Sequence, residues 1–93
     1  MPIEIIPLPQ HIRREVVGSL RKMFDSSSAL FEPNSNQDSQ EVCLFRSHAT
    51  ASDILLPELR ADKPFSIVIL GDYASRAKEM LIHYLQRNGF PIA

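Results

Sequence analysis

The sequence predicts an α/β domain, a βαβαβα chain folded around a three- to four-stranded, mainly parallel sheet with right-handed crossovers. Three observations point that way. Short β-branched or aliphatic runs alternate with segments of helical period along the chain. Two of those runs, near 42–45 and 67–70, are consecutively apolar rather than alternating, as in strands covered on both faces. Finally, 93 residues suit a single domain over 1–93. Three or four strands are few to cover from both sides, so a two-layer α+β sandwich is the competing arrangement.

The first strand falls in PIEIIPL, where Ile3, Ile5 and Ile6 are β-branched and Pro2 and Pro7 bracket the run. Pro7 and Pro9 then lead into a helix, whose first turn needs no donor at a proline. From Gln10 to about Asp25, Ile12, Val16, Leu20 and Phe24 recur every four residues, with Val17 and Met23 widening the stripe. The stretch DSSSALFEPNSNQDSQ is polar and turn-rich, and predicts a mobile loop at about 26–40. Leu30 and Phe31 interrupt that polarity and could tack the loop to the core or start a short extra strand.

A second strand is expected around Val42–Phe45. Thr50, Ser52 and Asp53 then offer capping signals for a short helix, with Ile54, Leu55 and Leu59 as its apolar side. Phe65–Leu70 reads as a central strand, with four successive aliphatics. The last helix runs from about Tyr73 to Asn88, with Ala74, Ala77, Leu81, Tyr84 and Leu85 inward and Gly89 as its C-terminal cap.

Composition narrows the function classes. The formal charge is −1, so no overall basic signature for nucleic acid is present. Cys43 is the single cysteine, which rules out an internal disulfide and favours a reducing compartment such as the cytoplasm. His11, His48 and His83 are scattered, so no metal-ligand spacing is apparent and no metal or cofactor is expected. No apolar run approaches the ~20 residues of a membrane span, and MPIEIIPLPQ lacks the pattern of a signal peptide.

The junction ILGDYASR raises the sharpest chemical question. A strand–turn–helix corner can hold a phosphate on free helix amides, but usually with several glycines. Here there is one, and Asp72 stands where a helix cap belongs. Its carboxylate would occupy those amides and repel an anion, so a structural corner is expected. Replacing it with alanine should then cost about 1 kcal/mol. A ligand site made of Asp72, Ser75 and Arg76 is the functional counter-reading. Cys43 and His48 lie too far apart along one strand for a thiol–imidazole pair, and Cys43 reads as a small buried apolar group. His83 reads as solvent-facing, and His11 suits no role.

The first helix offers the other candidate. Arg13, Arg14, Arg21 and Lys22 point away from the apolar stripe, opposed only by Glu15, and Arg14, Gly18 and Arg21 align along one side. Glycine inside a helix costs about 1 kcal/mol against alanine, which close approach of another backbone would explain. The acidic residues Asp25, Glu32, Asp38 and Glu41 could shield this face.

These observations lead to a small non-catalytic cytoplasmic regulatory or adaptor protein. It would act by protein–protein contact through Arg13, Arg14, Gly18, Arg21 and Lys22, with homodimerisation as a natural way to bury more surface. A nucleic-acid-binding module using the same helix is the alternative. An enzyme centred on Gly71-Asp72 comes third.

Overall fold

The computed structural model describes residues 2–27, 30–33, 43–57 and 65–92, with the side chains of Pro33, Cys43 and Phe65 outside that description. In chain order the elements are β1 (Ile3–Leu8), a 3-10 turn (Gln10–Ile12), α1 (Arg13–Ser26), β2 (Phe31–Pro33), β3 (Cys43–Ser47), β4 (Ser52–Leu56), β5 (Phe65–Leu70) and α2 (Ala74–Arg87). The strands form one five-stranded sheet in the order β1-β5-β4-β3-β2. Every neighbouring pair is antiparallel. The fold is therefore a small α+β domain, and the mainly parallel βαβαβα sheet is corrected.

The error has a local origin at Thr50–Asp53. The helix expected from the capping signals does not form over 50–57, and the rest of it, Leu59 included, lies outside the described residues. Ser52–Leu56 is instead a strand whose residues alternate between buried and half-buried. The hydroxyls that suggested a cap organise a turn. Thr50 Oγ1 donates to Ser47 Oγ at 3.0 Å, and Ser52 Oγ donates to the Thr50 carbonyl at 3.1 Å. Ala51 takes φ +49°, which closes the chain back on itself. Serine and threonine serve turns and helix starts by the same side-chain-to-backbone bonds, so either outcome fits the local sequence. Without a crossover helix, β3 and β4 can only be hairpin neighbours.

β1 and α1 follow their apolar periods. Ile6 and Leu8 point into the core, while Ile3 and Ile5 point out. Pro7 is tolerated because β1 is an edge strand. Val16, Val17, Leu20 and Phe24 are buried along α1. The α1 stripe is tied to the far sheet edge by aromatic contact. The Phe24 ring lies 4.4 Å from that of Phe31 and 4.5 Å from that of Phe45. Phe31 thus begins the short strand β2 within the stretch read as a loop, and α1 runs through Ser26. The rest of that expected mobile loop, 28–29 and 34–40, lies outside the described residues, as does the side chain of Cys43.

Helix α2 buries Ala74, Ala77, Leu81 and Leu85. Its end is closed by a Schellman arrangement. The Phe90 N–H donates to the Leu85 carbonyl at 3.0 Å and the Gly89 N–H to the Gln86 carbonyl at 3.1 Å, with Gly89 at φ +85°. The two helices lie side by side, linked by a 3.3 Å hydrogen bond between the Ser19 and Tyr84 hydroxyls. Their buried stripes and the inward sheet residues Ile6, Leu8, Ile54, Leu56, Ile67 and Ile69 make one core. Full burial of each such aliphatic stabilises by roughly 1.5–3 kcal/mol. The molecule therefore has two layers, helices over one face of the sheet. Among the described residues no helix is long and apolar enough to cross a membrane.

Candidate functional site

The corner between β5 and α2 is built by close approach of two backbones. Gly71 has φ +138°, and a Cβ there would lie 3.0 Å from the Ala51 carbonyl oxygen, 3.1 Å from Ser52 Cα and 3.2 Å from Ser52 Oγ. Its N–H donates to the Pro2 carbonyl at 3.2 Å, and its own carbonyl accepts from Ala74. Gly71 thus presses the corner against the β3–β4 turn, where only a residue without a side chain fits.

Asp72 does not cap the helix. It is exposed, and the start of α2 at Tyr73 has no side-chain cap hydrogen bond. The carboxylate at this end comes from a distant strand. Ser75 Oγ, in the first turn of α2, donates to Glu4 Oε1 at 2.9 Å. Glu4 therefore sits where the positive end of the helix dipole favours an anion. This contact spans 71 positions of sequence and left no local signal.

The three residues of the expected ligand site do not converge. Ser75 is engaged with Glu4, Asp72 is exposed, and Arg76 lines a separate open groove of about 580 Å³ with Ala49, Thr50, Glu79, Met80 and His83. That groove holds a guanidinium, a carboxylate and an imidazole on one side of α2. Among its described lining residues the hydroxyl is that of Thr50, which is buried and donates to Ser47 Oγ at 3.0 Å. Among the described residues no group of three or more His, Cys, Asp or Glu side chains could hold a metal ion.

The first helix divides the expected contact set. Arg13 is buried at its start and leaves the surface. Arg14, Arg21 and Lys22 are exposed, and Gly18 is half-buried beside them. A Cβ at Gly18 would meet nothing within 4 Å, so no part of the described chain requires glycine there. His11 and His83 are exposed, and His48 pairs with Glu32 at 3.3 Å.

The sheet face opposite the helices is a further candidate surface. Residues facing each other in an antiparallel pair project to the same side. The register therefore aligns Ile5, Val68, Leu55 and Leu44 in one row across four strands. Ile3 and Leu70 lie beside that row, followed by Asp53, Arg46 and Glu32. Ile3 is 59% exposed and Ile5 47%, while Val68, Leu70, Leu55 and Leu44 are half-buried. In the polar corner Arg46 Nη1 lies 3.4 Å from Asp53 Oδ1. The sequence signal for this face was the consecutive apolar runs. Such runs fit cover on both sides, whereas the described helices cover one.

No family model matches the chain, and neither a curated protein nor a solved structure is significantly similar to it.

Proposed function

We propose that this chain is a small non-catalytic contact domain, and that it works by docking the outer face of its sheet against another protein surface. The observation that carries the reading is the continuous apolar row Ile5–Val68–Leu55–Leu44, over which no described element packs. Contiguous exposed apolar surface is costly to leave in water, at roughly 25 cal/mol per Å², and marks interaction sites in folded proteins. The scattering of Asp72, Ser75 and Arg76 supports a non-catalytic role. The single cysteine supports a reducing, cytoplasmic setting.

The test compares proteins captured from the native host by the wild-type chain and by a Leu55→Lys/Val68→Lys variant, with folding checked by circular dichroism. The variant should lose its partners while Arg14→Glu/Arg21→Glu keeps them. Identical capture by wild type and the lysine variant would overturn the reading.

A second reading keeps the first helix as the contact surface. It is favoured by Arg14, Arg21 and Lys22 being exposed with no ion pair to a described residue, and by the open space at Gly18. An acidic protein surface or a phosphate backbone would be its ligand. Binding to any polyanion that falls steeply with salt favours nucleic acid.

A further inference from the structure

We propose that the open groove between α2 and the β3–β4 turn binds a small zwitterion of the amino-acid type. Its carboxylate would sit on Arg76, its ammonium on Glu79 and His83, and an aliphatic side chain against Met80. The inference goes beyond the contact reading above and uses no residue of the outer sheet face.

The groove presents both signs of charge without letting them cancel. Arg76, Glu79, Met80 and His83 leave one flank of α2 within an arc of about 100° and over about 10 Å of axis. Side chains three or four positions apart on a helix are neighbours and commonly pair. Yet the side chains of Arg76, Glu79 and His83 make no hydrogen bond or ion pair with any described residue. Elsewhere on the surface Arg46 is matched with Asp53, and His48 with Glu32.

The chemistry of the three groups selects the ligand. A guanidinium grips a carboxylate through two parallel N–H donors. A carboxylate, and the bare nitrogen of a neutral imidazole, accept from an ammonium. Along α2 these two acceptors follow the guanidinium by about one and two turns. A simple anion on Arg76 would meet Glu79, and a simple cation on Glu79 would meet Arg76. A ligand carrying both signs satisfies all three. Met80, 37% exposed, and Ala49 on the opposite wall supply apolar contact for the rest of it.

The far wall is fixed in advance. Thr50 is buried and bonded to Ser47 Oγ at 3.0 Å, and the close approach of Gly71 to Ala51 and Ser52 holds the turn against the start of α2. A site on a helix and an anchored turn keeps its geometry without a ligand. Its volume of about 580 Å³ lies within the roughly 300–1,000 Å³ of small-molecule sites. Because the groove is open, a ligand this small should bind weakly, with a Kd on the order of 0.1–10 mM.

Nitrogen–proton correlation NMR of the full chain, titrated with L-leucine, tests this. The amide signals of Ala49, Thr50, Met80 and His83 should shift together and saturate. Leucinamide, which lacks the carboxylate, and 4-methylpentanoate, which lacks the ammonium, should each bind at least about 10-fold more weakly. Arg76→Gln should weaken leucine binding by a similar factor while leaving leucinamide unaffected. Glu79→Gln should weaken leucine while leaving 4-methylpentanoate no weaker. Both substitutions are at exposed positions, and the unshifted remainder of the spectrum reports that the variants fold. Groove signals that stay still up to about 50 mM leucine overturn the proposal. So does either one-charge analogue binding as tightly as leucine, or leucine binding that survives both variants. Inorganic phosphate moving the same signals at lower concentration than leucine would show a plain anion site and overturn it as well.

Discussion

Replacing Gly71 with alanine tests the backbone approach that fixes the β5–α2 corner. A side chain at φ +138° carries strain of about 1–3 kcal/mol. The new Cβ would also lie 3.0–3.2 Å from the Ala51 carbonyl and from Ser52, two of the three contacts being with backbone that no rotamer change can clear. Overpacking of this kind costs about 1–3 kcal/mol. The stiffer unfolded chain returns about 0.4–1 kcal/mol. The net loss should be about 1–5.5 kcal/mol. At roughly 4–8 °C per kcal/mol for a chain of this size, the melting temperature should fall by at least about 4 °C. Asp72→Ala is the companion measurement. Asp72 is exposed and makes no capping bond, so its loss should change stability by less than about 0.5 kcal/mol. Urea denaturation followed by circular dichroism reads both. Near-neutral Gly71→Ala, or a loss of 1 kcal/mol or more from Asp72→Ala, would show that the side chain rather than the glycine holds this corner.

Gly18→Ala should stabilise the chain by about 0.5–1 kcal/mol, since α1 gains helix propensity and the new methyl meets nothing within 4 Å. A lower urea midpoint would contradict the open space seen there. A double-mutant cycle on Glu4→Ala and Ser75→Ala should give a coupling of about 0.5–1 kcal/mol from the Ser75 Oγ–Glu4 Oε1 hydrogen bond. Strictly additive losses would show that this bond adds nothing to stability.

The parts of the fold legible in the sequence are those where one residue pattern has one structural outcome. α1 and α2 show their buried stripes at Val16–Leu20–Phe24 and Ala77–Leu81–Leu85 directly in the spacing of apolar residues. The Gly89 cap was equally local. Thr50–Asp53 was ambiguous because a hydroxyl bond to nearby backbone starts a helix and closes a hairpin alike. That one choice carried the topology, since inserting a helix between β3 and β5 demands crossovers and parallel strands. The apolar runs misled for a different reason. Consecutive aliphatics report that both sides of a strand are apolar, without saying what lies against the second side. Arg14, Arg21 and Lys22 are exposed, as helical period alone predicts. Burial of Arg13 and the link from Glu4 to Ser75 depend on tertiary approach and have no trace in local sequence.

The pairing of β1 with β5 bears on how the chain reaches its native state. β2 through β5 form a meander in which each strand joins the next in sequence. Ile3, by contrast, must wait for Leu70. On a growing polypeptide the first strand emerges early and stays without its mate until most of the remainder has been made. The closing of that long loop is slow because its entropy is lost before any ladder bond compensates. β1 should therefore be the last strand to zip in, and an assembly partner or chaperone would meet an N-terminal segment with its isoleucines bare.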